Sequence, residues 1–277
     1  MKDELIQPSA FILHPYAEMP IILKSKREIE VMRRAGAVVY RTLQKMREAI
    51  RPGMTTLELD RVAGEEMDRS GVVSSSRWYP TYKEGEGFPG YTCISVNEEV
   101  IHGIPGARKL KEGDIVSIDV NVFLDGWVAD SAYTFGVGKI SPKVQKLLDV
   151  TQAALQMAVE NVKPGKKWSD IARLMQWHVE QNKFNVVREF VGHGVGRSMH
   201  EDPKVPNFVT SEHSRGDFVL RPGMTIAVEP MVVMGRRDVV LLEDDWTIVT
   251  EDRQPSAHFE HTIAVSDSGA DVLTSGK

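Results

Sequence analysis

The sequence predicts an α+β fold made of two related halves, and three observations carry that prediction. A pair of helix patterns followed by strand-like runs occurs twice along the 277 residues. The stretch 38–53 (VVYRTLQKMREAIRPG) resembles 150–165 (VTQAALQMAVENVKPG), and 113–119 (GDIVSID) resembles 223–229 (GMTIAVE). The two offsets, 112 and 110 residues, nearly agree, as a duplicated supersecondary unit requires. The halves are expected at about 23–140 and 141–277, together one domain. Residues 1–22 read as an irregular arm, with three prolines and no clear period.

Each element has a local cause. Ser25 and Glu28 form a capping-box pattern, and Ile29, Met32, Val39, Leu43, Met46 and Ile50 then mark one apolar stripe of a helix. Arg51-Pro52-Gly53 ends it. A second capping box, Thr55 and Glu58, opens a helix that runs out at Ser70-Gly71. Residues 72–112 are rich in Gly, Pro and aromatics around a short apolar run, Cys93–Val96. Strand character follows at Asp114–Phe123, with a turn at Leu124-Asp125-Gly126 and a return strand at Trp127–Phe135. Ser141-Pro142 places an N-cap before a proline in the first helical position, and this helix is expected to reach Pro164-Gly165. Another is expected from near Ser169 to about Asn182, and strands and turns fill the C-terminal third.

Composition narrows the function. Hydrophobic residues make up 42% of the chain, enough for a sizeable core. Net charge is -5 with no basic stripe, so no stable nucleic-acid partner is expected. A single cysteine, Cys93, rules out an internal disulfide framework and fits a reducing compartment. No apolar run approaches the roughly 18 residues that span a bilayer. The N-terminus lacks the pattern of a signal peptide, so a cytoplasmic protein is expected.

Five residues carry the chemistry. A hairpin centred on Asp125-Gly126 sets Asp119 opposite Ala132 and Asp130 opposite Asn121. Asp119 and Asp130 are then diagonal neighbours on one face, roughly 7–8 Å apart at the backbone. Both could be solvent-facing strand acids, but Asp119 interrupts an apolar run in which an unpaired charge is costly. Gly192-His193-Gly194-Val195-Gly196 reads as a glycine-flanked loop presenting an imidazole, and it lacks the spacing of a phosphate loop. Glu229 follows the apolar run at 225–228, and Glu260 lies within another. Buried acids are rare unless paired or bound to a metal. The repeat also places Asp119 opposite Glu229, one acid from each half, which points to a site at their junction. Oxygen donors with one imidazole suit Mn(II), Fe(II), Co(II) or Zn(II), and the lack of cysteine ligands argues against structural zinc. Two such ions about 3.5–4 Å apart can activate a shared water. His102 and His200 are free to serve an oxyanion and a leaving amine. The expectation from chemistry is a dinuclear metallohydrolase.

Several segments also resemble a known family. These are 93–105 (CISVNEEVIHGIP), Asp119-Val120, Asp130-Ser131, 192–196 with His200-Glu201, Glu229-Pro230 and Glu260-His261-Thr262. Jointly they are similar to type I methionine aminopeptidases, whose pita-bread fold packs helices on a curved antiparallel sheet. The resemblance spans about residues 25–265. It implies that Asp119 chelates one ion, that Asp130 and Glu260 bridge both, and that His193 and Glu229 bind the other. Glu229 would also handle the proton of the attacking water. His200 would support the oxyanion, and His102 would contact the scissile amide or the second residue. Phe88, Cys93, Met199 and Trp246 would line the methionine pocket, where a thiol and aromatic rings suit a thioether. The implied substrate is the initiator methionine of peptides and nascent chains with a small second residue. A monomer is implied, with the ribosome a candidate contact.

The match has departures. Gly85 stands where bacterial relatives usually have Tyr, and Met199 where an aromatic often precedes the histidine, so the pocket is expected to be reshaped. Two rivals share the fold. One is an Xaa-Pro peptidase with the same five ligands, and the other is a scaffold that has lost catalysis and serves as a binding module.

Overall fold

The computed structural model of the chain describes residues 20–80, 87–210 and 217–276. Most of the expected arm lies outside the described residues, as does Gly85. In the first half, α1 (Lys26–Ala49) and α2 (Thr56–Ser70) precede β1 (Val73–Ser74), β2 (Cys93–Val96), β3 (Glu99–Ile101), β4 (Ile115–Leu124) and β5 (Trp127–Gly136). In the second, α3 (Pro142–Asn161) and α4 (Trp168–Gln181) precede β6 (Asn185–Val186), β7 (Gly192–Gly194), β8 (Glu201–Val205), β9 (Thr225–Val228) and β10 (Met231–Val233). The chain continues through β11 (Val239–Leu241), β12 (Ile248–Thr250), β13 (Ser256–His258), β14 (His261–Ser266) and β15 (Gly269–Val272).

Both predicted capping boxes are formed. The Glu28 and Glu58 carboxylates accept the N–H groups of Ser25 and Thr55 at 2.8 and 2.7 Å, while those hydroxyls accept in return. Gly71 ends α2 in the left-handed conformation at φ 66°. One boundary differs from expectation. Helix α3 stops at Asn161, short of Pro164, because the residue before a proline is driven out of the helical region. Helix α4 runs Trp168–Gln181, as expected, and the Ser169 N–H and hydroxyl both donate to Asp217, at 3.0 and 2.7 Å.

The named strand pairings are antiparallel. β4 is the spine of the first sheet, with β5 along one side and β1 and β2 along the other. The β4–β5 turn places Asp125 at φ 50° and Gly126 at φ 86°, the two positive values that match the twist of a two-residue hairpin. A five-stranded sheet runs β15-β14-β9-β7-β8, and two three-stranded sheets run β13-β10-β6 and β11-β12-β3.

Alternation along the strands separates core from site. Ile118 and Val120 pack with Val39, Leu43, Leu59 and Met67 of α1 and α2, so Asp119 and Asn121 point the other way. In the second half Leu147, Leu155, Ile171 and Met175 pack against Ile226, Val228 and Ile263. Each such side chain contributes about 1.5–3 kcal/mol of burial. The helices therefore back the sheets and leave the opposite faces for the polar groups.

The repeat is visible in the backbone hydrogen bonds. Gly53 N donates to Leu110 O (2.7 Å) and Gly165 N to Leu220 O (2.9 Å). Gly113 N donates to Val137 O and Gly223 N to Val265 O, both at 2.9 Å. These four glycines have φ of 89°, 84°, 91° and 89° in that order, a region that favours glycine. The repeated sequence marks recur because the same turns recur, and the two halves are pseudo-symmetric.

Candidate metal centre

The hairpin has the register expected from its turn, with Asp119 opposite Ala132 and Asn121 opposite Asp130. Asp119 and Asp130 are thus diagonal neighbours on the face away from α1 and α2. Asn121 holds them in place: it accepts from Ser76 Oγ at 2.6 Å and donates to Asp119 Oδ1 at 3.3 Å.

His193 is not on a loop. It sits in β7, between β8 and β9. A Cβ on Gly192 would lie 2.3 Å from Ala227 O, and one on Gly194 2.2 Å from Asp202 O. The flanking glycines therefore allow close backbone approach, and neither has positive φ. Gly194 O lies 2.9 Å from His193 Nδ1, and a carbonyl can only accept, so the ring proton is on Nδ1. Nε2 is left as a bare lone pair, 3.6 Å from Glu229 Oε1 and 4.0 Å from Asp130 Oδ2. A lone pair facing two carboxylates is repulsive unless a cation stands between them.

Glu229 follows β9, with its carbonyl held by Asn207 Nδ2 at 3.0 Å. Glu260 joins β13 to β14, and its N–H donates to Ala132 O at 2.8 Å. Asp130, His193 and Glu260 offer ligand atoms all within 4.8 Å of one another. Asp130 Oδ1 and Glu260 Oε1 are buried without a hydrogen-bond partner. Among the described residues no lysine or arginine pairs with any of the four acids. Burial pushes the Asp130 and Glu260 carboxyls well above the usual carboxylate range, and the neighbouring acids push further. Burial also raises Asp119, against the pull of His258. His193 is drawn down to about 4, chiefly by burial. Crowded acids without counter-charge, a bare imidazole nitrogen and orphaned carboxylate oxygens form a donor set that divalent cations fit.

The sequence reading missed His258. Its Nε2 is buried, has no hydrogen-bond partner and lies 3.5 Å from Glu229 Oε2. The signal was present, since His258 stands two residues before Glu260. The halves explain its place. Thr262 Oγ1 bridges the backbone N–H and C=O of Asp130 (2.9 and 2.8 Å), and Thr134 Oγ1 does the same for His258 (2.9 and 2.8 Å). Asp130 and His258 are therefore equivalent positions across the pseudo-symmetry.

Around this cluster lie the other predicted residues. His102 has φ 57°, a left-handed conformation uncommon outside glycine, and burial draws its imidazole down to about 4. His200 packs its ring 4.4 Å from that of His193, and Tyr79 Oη lies 2.8 Å from its Nδ1. Although His200 keeps accessible surface, protein crowds its other side, and burial with the His193 ring draws it down to about 3. Glu201 shapes the loop that carries His200: it accepts from the N–H groups of Arg197 (2.7 Å) and Ser198 (3.2 Å) and from buried Lys24 Nζ (2.6 Å). Phe88 and Trp246 meet edge-on with centroids 5.2 Å apart, and buried Cys93 pairs with Asp119 across β2 and β4. Met199 packs its side chain by Met32, Trp127 and Val195. A separate crevice of about 330 Å³ lies by Arg47, Gln145 and Asp149, and none of the five clustered residues lines it.

A metallopeptidase family M24 model matches residues 30–267, and the chain belongs to that family. Within it, the chain is similar to methionine aminopeptidases. It is 46% identical over 254 residues to methionine aminopeptidase 1 of Bacillus subtilis, covering 92% of this chain and 99% of that one. It is 41% identical to the methionine aminopeptidase of Escherichia coli K12, covering 92% and 94%. A crystal structure of a Thermotoga maritima methionine aminopeptidase superposes with TM-score 0.86 at 42% identity, covering 92% and 99%. A prolidase from Pyrococcus furiosus shares the fold at TM-score 0.72 and 21% identity, covering 93% of this chain and 66% of that one. The fold is the pita-bread fold. Among the described residues no helix is long and apolar enough to cross a membrane.

Proposed function

We propose that the chain is a cytoplasmic methionyl aminopeptidase that removes the initiator methionine from peptides and nascent proteins with a small second residue. The observation that carries this is the cluster of Asp130, His193 and Glu260 with two orphaned carboxylate oxygens, beside which Glu229 Oε1 lies 3.6 Å from His193 Nε2 and Asp119 lies diagonal to Asp130 on the hairpin face. Residues 23–277 act in this reading as one catalytic unit with the site at the junction of its halves. The five residues would hold two divalent ions, with Mn, Fe, Co and Zn as the candidates. When bound there, such ions lower the pKa of water and polarise the scissile carbonyl. Glu229 takes the proton of the attacking water, and His258 beside its second oxygen keeps that carboxylate in place. His200 donates to the oxygen of the scissile carbonyl as charge develops, and His102 faces the leaving amide. Phe88, Cys93 and Trp246 receive the methionine side chain, with Met199 bounding the site near His200.

The test is a peptidase assay on metal-stripped protein with Met-Gly-Met and Met-Pro-containing peptides, before and after addition of Mn(II), Co(II), Fe(II) or Zn(II). Free methionine released only with metal is the expected outcome. No release with any metal from a folded protein would leave the inactive-scaffold reading. In the active protein, His200→Ala is expected to lower kcat about a hundredfold, the scale of one lost oxyanion donor, with a smaller change in KM. An unchanged kcat would remove that role.

A further inference from the structure

We propose that Tyr79 is a positioning residue for His200: its phenol donates to Nδ1 and so keeps the imidazole N–H on Nε2, available as a donor to the cleft. The bond is 2.8 Å from Tyr79 Oη to His200 Nδ1, and the rings meet edge-on at 83° with centroids 5.5 Å apart. A neutral imidazole has one N–H, so a donor on one nitrogen sets the proton on the other. The neighbouring His193 is set the opposite way, because its Nδ1 faces a carbonyl, which only accepts. With the phenol donating, two histidines whose rings are 4.4 Å apart take opposite tautomers from opposite partners. One presents a lone pair, as a ligand must, and the other presents an N–H, as an oxyanion donor must.

The backbone at Tyr79 is built to hold this contact. Trp78 N donates to Phe88 O at 2.9 Å and Phe88 N to Tyr79 O at 3.0 Å, while Tyr79 N reaches Ser76 O at 2.8 Å. Trp78 itself has φ 65°, a strained conformation for a bulky residue that persists only where surrounding bonds over-determine it. Tyr79 is therefore tied to Phe88, on the proposed methionine pocket, by its main chain and to His200 by its side chain.

The inference rests on the peptidase reading, so its test has an arm without turnover. Long-range 15N–1H spectra of the zinc-loaded full chain, with His200 assigned by its loss in His200→Ala, should show an Nε2–H tautomer. Tyr79→Phe, which keeps the ring, should yield a tautomer mixture at unchanged melting temperature. It should also lower kcat about five-fold, the scale of one hydrogen bond, with KM within about two-fold. In a His200→Ala background the same change should have no further effect. An Nδ1–H tautomer in the wild type, or a full five-fold loss persisting without His200, would overturn the proposal. Absence of methionine release by the wild type would instead refute the peptidase reading and leave the spectra to judge the tyrosine.

Discussion

Glu229→Gln is expected to lower kcat by about three orders of magnitude while leaving the fold intact. The substitution keeps size and shape and removes the charge and the basic oxygen. A positioned base contributes about 10²–10⁴-fold, so a thousandfold loss, about 4 kcal/mol of barrier, is the scale of the proposed role. Stability should not fall, because the Glu229 charge is one of those pushing up the Asp119, Asp130 and Glu260 carboxyls, and its removal relieves that repulsion. His193 and His258 flank its two oxygens at 3.6 and 3.5 Å, and a glutamine can keep the same place between them. Turnover of Met-Gly-Met, thermal melts and bound metal should be measured together. Lost turnover with metal retained assigns the proton-handling role, and lost metal assigns a ligand role alone. A loss of less than tenfold with metal bound would refute the assignment.

How much of this was legible in the sequence depended on how local each cause was. The capping boxes of α1 and α2 and the Asp125-Gly126 turn are set by residues within four positions of one another, and all three formed as read. The hairpin register then followed from the turn alone, which is why the Asp119–Asp130 relation was derivable. The surroundings of His193 were not. β7 is three residues long and mostly glycine, so it has neither strand propensity nor alternation, and it exists because β8 and β9 approach it from both sides. The hydroxyl bridges from Thr134 to His258 and from Thr262 to Asp130 join residues more than a hundred positions apart. Nothing local announces such pairs, nor the buried Lys24–Glu201 pair beside the His200 loop. The repeat was the long-range signal available, but its offsets of 110 and 112 residues carry Asp130 to 240–242, whereas His258 lies 128 residues on, because the second half holds extra chain between β9 and β14.

Removing metal should make the protein less stable at neutral pH in a way that Asp130→Asn reverses. The folded-state pKa values of Asp119, Asp130 and Glu260 are raised, so each carboxyl contributes stability that is present below its unfolded value near 4 and is lost as pH rises through the folded one. Histidines act in the opposite sense. His102, His193 and His261 are drawn down to about 4 and His200 to about 3, so their contribution is present above about 6.5 and lost as pH falls through those values. The pH profile of metal-free wild type therefore mixes both effects, and the difference between wild type and Asp130→Asn isolates the acids. That difference should grow in favour of the variant as pH rises from about 4 to 8, reaching about 2 kcal/mol, the usual size of one buried polar change. For a chain of this length that is roughly 4–8 °C in melting temperature. Divalent metal at a hundred times its Kd should raise the wild type by about 2.7 kcal/mol at pH 7.5, and less as protons compete at lower pH. The variant should gain little, because Asp130 bears both an orphaned oxygen and a place in the ligand cluster. Calorimetry with and without chelator across this range decides the matter. A metal-free Asp130→Asn less stable than wild type at pH 8, or a wild type indifferent to every divalent ion, would mean that the acids are held by something other than a cation.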